Sequence, residues 1–463
     1  MGAAEVTVAV SHPEHAPVED RAAAGREARK RVPRSALAIH EPPSWRRDPV
    51  DILEEQAATR LPDLVPIRYG RMASSPFAFF RGAAAIMAED LAAGPHTEIG
   101  TQLCGDAHLL NFGIYNSPER RLVFDLNDFD ETLPGPWEWD LKRLVASLVV
   151  AAQENGFADA EARDIVRDAV RAYRTAMESF AGMKNLELWY VRLEVDQLVE
   201  SFRAKVSAAE MKAVTKQTAK FASRDSLQAF AKLTEETPDG PRFRSAPPLV
   251  VPAVELFPGD PDDVHRQALR VLHDYYSSLS DDRRHLAETY RYVDLARKVV
   301  GVGSVGTRAW MVLLLGRDEG DPLVLQVKEA QASVLERHLG ASETDGHGHR
   351  VVKGQRLMQA SSDIFLGWYH GYGMDLQPRD FYVRQLRDGK GGVDVSTMAP
   401  NQMHVYAGVC AWTLARAHAR SGDRVAIAAY TGQSRRLDDA MADYAFAYAE
   451  QNRRDQQVLV DAI

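Results

Sequence analysis

Residues 104–131 constrain this chain more than any other stretch. They begin Cys104-Gly105-Asp106-Ala107-His108-Leu109-Leu110-Asn111 and continue through a hairpin-like stretch. The apolar run Leu122-Val123-Phe124 then closes on the acids Asp125, Asp128, Asp130 and Glu131. A carboxylate shortly before an amide, with a carboxylate cluster beyond the next strand, supplies the parts that phosphoryl transfer needs. One acid orients an acceptor hydroxyl and takes its proton, while an amide and a second acid hold magnesium on phosphate oxygens. Asp106 is the candidate for the first role, and Asn111 with Asp125 or Asp128 for the second. His108 either orders the loop by hydrogen bonding or joins the chemistry. A calcium loop does not fit, because a segment started at Asp125 or Asp128 lacks the required glycine and closing glutamate. The fold must therefore bring a loop and a strand end together at one cleft.

A second segment reads Gly301-Val302-Gly303-Ser304-Val305-Gly306. In a dinucleotide-binding fold the third glycine opens a helix. Here it opens the strand-like run Arg308 to Leu315, and a turn near Gly320-Asp321-Pro322 leads into Leu323 to Val327. A glycine loop closed by a hairpin is the kinase arrangement, in which backbone amides cover nucleotide phosphates. Gly301, Gly303, Ser304 and Gly306 are thus candidate nucleotide ligands. Lys328, at the end of the next strand, is the candidate for pairing with the phosphates. Glu336, on an expected helix at about 330–339, would orient Lys328, with Gln355 and Arg356 as alternatives. Glu329 is adjacent to the lysine and should point to the other face of the strand. The backbone around Phe381 to Arg387 is expected to meet the adenine edge, with Arg384 among the cofactor-binding residues.

These two half-sites stand in an unusual order. An ordinary kinase runs glycine loop, lysine, helix, hinge strand, helix, catalytic loop, metal acid and helical lobe. This chain begins at the catalytic loop and returns to the glycine loop afterwards. The order implies a circular permutation, which domains tolerate where the cut ends lie together at the surface. It requires Lys328 to lie close to Asp125 or Asp128 across a cleft. The expected fold class is α+β, a circularly permuted two-lobed protein-kinase-like fold with a small β-rich nucleotide lobe and a large helical lobe. Its parts are a mobile arm at 1–45, a helical lobe with the catalytic loop at 46–297, a nucleotide lobe at 298–388 and returning helices at 389–463.

Local signals fill in the rest. Ser75 and Pro76 open a helix that runs to about Ala93. Pro134 to Pro136 break the chain, and Asp140 caps an apolar helix from Leu141 to Gln153. Helices are expected at 262–297, 401–420 and 434–460. Trp137 and Trp139 read as core anchors. Arg68, Arg71 and Arg81 read as surface ion pairs, or else as a phosphate clamp. The net charge of -9 argues against a general nucleic-acid binder, and the two cysteines, Cys104 and Cys410, give no disulfide framework. No secretory signal, myristoylation site or membrane-spanning run is visible, so a cytoplasmic location is expected.

With these residues in hand, the chain resembles the bacterial DUF2252 family, a domain of unknown function, over most of its length. Arg68 to Met72, Phe77 to Gly82, Cys104 to Asn111 and Val123 to Leu141 carry the resemblance. So do Val327 to Ala330, Gln355 to Gln359, Phe365 to Trp368, Tyr382 to Leu386 and Ala415 to Gly422. It implies membership of the wider protein-kinase-like superfamily, near aminoglycoside and choline kinases, and it names no substrate. Cys104 departs from the His that usually precedes the catalytic Gly-Asp. Asp140-Leu141 looks like the structural Asp-Leu of small-molecule kinases, and its spacing leans the metal acid towards Asp128. The expectation is an ATP- and magnesium-dependent phosphotransferase acting on a hydroxyl of an unidentified small-molecule acceptor. The alternatives are nucleotidyl transfer (AMPylation) and a non-catalytic nucleotide-binding scaffold. No nucleic-acid or membrane partner is expected.

Overall fold

The computed structural model describes residues 16–202, 226–259, 261–299, 301–386, 389 and 391–463. It is a mixed α+β structure. The largest core is helical. The helix Glu138–Glu154 is buried almost all round, as the run Leu141, Leu144, Val145, Leu148, Val149 requires. Around it pack the helices Asp159–Gly182, Pro400–Ser421 and Arg436–Ala462. Trp137 lies at the centre, its ring stacked on Tyr173 at 5.5 Å.

Among the described residues, three two-stranded ribbons accompany one six-stranded sheet. β1 (Gly100–Leu103) pairs with β4 (Leu133–Pro136), and β2 (Phe112–Asn116) pairs with β3 (Leu122–Leu126). The segment Pro134 to Pro136, expected to break the chain, is therefore strand. β5 (Thr234–Thr237) and β6 (Gly240–Phe243) form the third ribbon. The sheet is built from β7 (Val250–Pro252), β8 (Arg291–Lys298), β9 (Ala309–Leu315), β10 (Pro322–Ala330), β11 (Gly367–Tyr372) and β12 (Pro378–Gln385). All its pairings are antiparallel, in the order β11-β12-β10-β9-β8-β7.

Both sheet faces are covered. Trp310, Val312 and Leu314 pack towards the helix Pro261–Tyr276, whereas Met311 and Leu313 pack with Ala229 and Phe243. This is why β9 reads as an unbroken apolar run rather than an alternating one. Among the described residues, no helix is long and apolar enough to cross a membrane.

Several expectations need correction. The helix expected over 262–297 is two helices, Pro261–Tyr276 and Asp281–Glu288, followed by strand β8. The helix expected to run from Pro76 to Ala93 breaks at Ala83 into Pro76–Gly82 and Ala84–Ala93. Residues 18–31 are not a mobile arm. They form the helix Val18–Arg31, which docks on Arg424–Thr431. Arg21 forks onto Asp423 at 2.7 and 3.0 Å, and a side chain at Gly25 would collide with the Ala426 carbonyl. Residues 1–15 of that expected arm lie outside the described residues.

Candidate active site

The loop 104–111 is held from below by Asp140. Its carboxylate accepts the amides of Cys104 at 2.8 Å and Gly105 at 3.0 Å, with the His418 ring at 3.3 Å. Asp140 therefore does not cap its own helix, which starts at Glu138. Gly105 sits at φ +83°, and any Cβ there would strike the Glu131 backbone. The loop is thus locked against the segment that carries the second acid cluster.

Within the loop, Asn111 donates its Nδ2 to the Asp106 carbonyl at 2.7 Å. The Asp106 carboxylate accepts Arg143 Nε at 2.8 Å, while Arg143 also donates to the Phe80 carbonyl at 2.6 Å. His108 Nδ1 accepts the Leu110 amide at 3.1 Å, so its proton sits on Nε2, 3.7 Å from Asp106. Burial pushes the His108 imidazole down to about 4, against the pull of Asp106. His108 is therefore a neutral donor at ordinary pH. Burial also raises the Cys104 thiol, which makes it a packing group rather than a nucleophile.

The acids beyond β3 divide. Asp125 faces the core. It pairs with Arg416 and accepts the amides of Leu126 at 2.9 Å and Ala360 at 3.2 Å. The expectation of Asp125 as a metal ligand is corrected on this ground, since its oxygens are already engaged away from the cleft. Asp130 takes the lysine: Lys328 Nζ lies 2.6 Å from one oxygen, and the Tyr382 hydroxyl donates to the other at 2.6 Å. The expected partner was Asp125 or Asp128. Burial opposes the charge on Lys328, but Asp130, Tyr382 and Asp128 together hold its pKa above the ordinary lysine value. Asp128 stands beside this pair with no salt bridge of its own among the described residues, and feels Lys328 and Arg384 only through space. Burial and the neighbouring Asp130 raise its carboxyl. Burial likewise pushes Glu131 up to about 7, although the Val334 amide donates to it at 2.7 Å.

The glycine loop lies between β8 and β9, with Gly301 at φ +65° and Gly306 at φ +91°. It is clamped from outside. Arg60 donates to the carbonyls of Gly303 at 2.8 Å and Val305 at 2.6 Å. Arg71 reaches the Gly301 carbonyl at 2.6 Å, and the Leu61 amide reaches that of Gly306 at 2.8 Å. The Ser304 hydroxyl lies 3.4 Å from Asp130. One cavity of about 650 Å³ is walled by Asp106, His108, Asn111, Asp128, Asp130 and the glycine-loop residues Gly301, Gly303 and Ser304.

Other expected site residues lie elsewhere. Glu336 accepts the Ser333 amide at 3.1 Å and stands 3.5 Å from Arg350, so it does not orient Lys328. Its helix is a single turn, Glu336–Leu339, because β10 continues to Ala330. The longer helix between β10 and β11 is His347–Met358, which contains no acid. It contributes Arg350, which donates to the Asp130 carbonyl at 2.8 Å. Gln355 bonds to Gln359, and Arg356 to the Leu366 carbonyl. Arg384 donates to the Asn127 carbonyl at 2.9 Å, tying the acid segment to the sheet. Phe381 to Val383 pair on both sides, with β10 and β11, so this backbone has no free edge for adenine. Arg387 lies outside the described residues. Glu329 does point away from Lys328, to Arg379 at 2.8 Å.

Sequence reasoning missed the roles of Asp130, Tyr382, Arg143 and Arg60. Asp130 was visible as an acid two residues past Asp128, but nothing local says which of the two faces the sheet. Arg68, Arg71 and Arg81 are not surface ion pairs: Arg68 is fully buried, and none of the three pairs with a carboxylate among the described residues.

This chain belongs to the family described as "Uncharacterized protein conserved in bacteria (DUF2252)", which it matches over residues 60–462. No curated protein and no solved structure matches it.

Proposed function

We propose that this protein is an ATP- and magnesium-dependent phosphotransferase on a circularly permuted, two-lobed protein-kinase-like fold, acting on the hydroxyl of a small acceptor. The observation that carries the reading is the shared cavity. Asp106, Asn111 and Asp128 line it together with Gly301, Gly303 and Ser304. The chain order glycine hairpin, lysine strand, helix and two further strands is also the order of a kinase nucleotide lobe.

The oxygen donors suit magnesium. The amide of Asn111 is fixed through its nitrogen, which leaves Oδ1 without a donor among the described residues. Asp128 has a raised carboxyl that a cation would satisfy. No three His, Cys, Asp or Glu side chains gather as a metal cage among the described residues. Magnesium commonly keeps several of its waters and takes one or two protein oxygens plus substrate phosphates. When bound, such an ion neutralises phosphate charge.

The chain's own groups do the remaining work. Asp106, positioned by Arg143, orients the acceptor hydroxyl and receives its proton. His108, neutral and held by the Leu110 amide, steadies Asp106. Lys328, now on Asp130, pairs with phosphate oxygens, and the glycine loop covers them.

Incubation with ATP, magnesium and a library of hydroxylated small molecules, read by product mass, tests the reaction. One added phosphate on an acceptor supports the reading, and an added AMP redirects it to nucleotidyl transfer. A thermal-shift titration tests the site itself. ATP should stabilise the wild type only with magnesium, and less so in Asp128→Asn and Lys328→Met. Absence of any nucleotide-dependent shift sinks the proposal.

A further inference from the structure

Three arginines, Arg60, Arg68 and Arg81, line the cavity and form no ion pair with an acid among the described residues. Arg68 is fully buried; its Nη2 donates to Gln56 Oε1 at 3.0 Å and to the Gly82 carbonyl at 3.1 Å. Its Nε and Nη1 have no hydrogen-bond partner among the described residues. Arg60 spends Nη1 on the glycine-loop carbonyls and leaves Nε unpaired. The Arg81 side chain makes no hydrogen bond or ion pair among the described residues. All three line the same cavity as Asp106.

Nearby acids act on Arg60 and Arg81 through space, Glu131, Asp130 and Glu329 on the first and Asp106 on the second, but none of them forms an ion pair with either among the described residues. Asp106 is held by Arg143, Asp130 by Lys328 and Tyr382, and Glu131 by the Val334 amide. Burying a cation without a counter-ion is costly, and folded proteins avoid it unless a partner arrives. Burial, with Arg60 close by, pushes the Arg68 guanidinium down to about 9, which still leaves it charged at neutral pH. Guanidinium forks match the oxygens of phosphate, and several of them suit a dianion.

The place of the cluster matters. A Cβ on Gly303 would lie 3.4 Å from the Arg81 carbonyl, so Arg81 sits against the glycine loop. Arg81 also feels the charge of Asp106, the acid assigned to the acceptor hydroxyl. We infer that Arg60, Arg68 and Arg81 form an anion subsite for a phosphate monoester carried by the acceptor, so that the substrate is a hydroxylated compound already bearing one phosphate. The assignment to the acceptor rests on the phosphotransferase reading, whereas the anion subsite stands on the arginines alone.

The test is a thermal-shift titration of the full chain with inorganic phosphate at constant ionic strength, with chloride as control. It is run on the wild type and Arg81→Gln, with and without a saturating non-hydrolysable ATP analogue. The Arg81 side chain makes no hydrogen bond or ion pair among the described residues, so its replacement should leave the structure standing. Phosphate should stabilise the wild type beyond chloride, bind about tenfold more weakly to Arg81→Gln, and still bind beside the analogue. A shift equal to that of chloride, or one untouched by Arg81→Gln, overturns the subsite. Displacement of phosphate by the analogue overturns the acceptor assignment and gives the arginines to the nucleotide's terminal phosphate. Phosphate binding with no analogue binding at all would instead remove the nucleotide reading and leave the subsite.

Discussion

At the scale of single residues, two groups in the cleft titrate against each other. Glu131 is raised by burial from 4.5 to about 7. Between those values the native state keeps a proton that the unfolded chain has lost, so this group makes stability fall as pH rises. His108 is lowered by burial from 6.5 to about 4. Between those values the unfolded chain binds a proton that the native ring refuses, so His108 makes stability fall as pH drops. The wild-type profile mixes the two, and comparison with Glu131→Gln separates them. Relative to wild type, the variant should gain stability as pH rises from 4.5 to 7, measured by urea midpoints on either side of that window. A constant difference would mean that Glu131 is ionised in the native protein at ordinary pH. Asp140 makes a second case. Asp140→Ala strands two amides of a buried turn and should cost about 2–4 kcal/mol in urea unfolding. A loss below about 0.5 kcal/mol would show that water replaces the carboxylate.

At the scale of elements, the glycine loop is set by its clamp as much as by its glycines. Arg60 holds the carbonyls of Gly303 and Val305. Arg60→Ala should therefore speed amide exchange over Val302 to Ser304 by about tenfold or more, with β9 and β10 unchanged. Equal exchange in both proteins would mean that the loop holds itself. The glycine loop and its hairpin were legible because glycine punctuation and a continuous apolar run have few other uses. β8 was not, since Arg291, Asp294, Arg297 and Lys298 give it the polarity of a surface helix, and only its neighbours β7 and β9 make it strand. Helix Val18–Arg31 hid for a related reason. It is alanine- and arginine-rich, and it is fixed by Asp423, some four hundred residues away. Asp106, Asn111 and Asp128 could be found by spacing within one segment. The partner of Lys328 could not, because Asp128 and Asp130 differ only in which way the turn aims them.

At the scale of the whole molecule, the cleft is held by contacts between distant parts of the chain, among them one buried ion pair. Lys328 and Asp130 are 198 residues apart and meet at 2.6 Å, with the lysine side chain 3% exposed. No local rule brings them together. The sheet must form from residues 250–385 and settle on a helical core begun before residue 154 and completed after residue 400. A buried pair of this kind adds little net stability over an apolar pair, but losing one partner strands the other charge. Lys328→Met should destabilise the protein by about 3 kcal/mol, and Asp130→Asn by less. The double variant should lose less than the sum of the two, with a coupling of about 2 kcal/mol in a urea double-mutant cycle. Tyr382 will blunt the Asp130→Asn effect, because its hydroxyl can still donate to the amide oxygen, so the asymmetry between the single variants is itself expected. Strict additivity would mean that the glycine-loop half and the catalytic-loop half do not share a site in solution. Coupling without any nucleotide-dependent stabilisation would mean that the halves meet for structural reasons alone. Coupling that shrinks when ATP and magnesium are added would mean that Lys328 leaves Asp130 for a phosphate, as a phosphate-pairing lysine must.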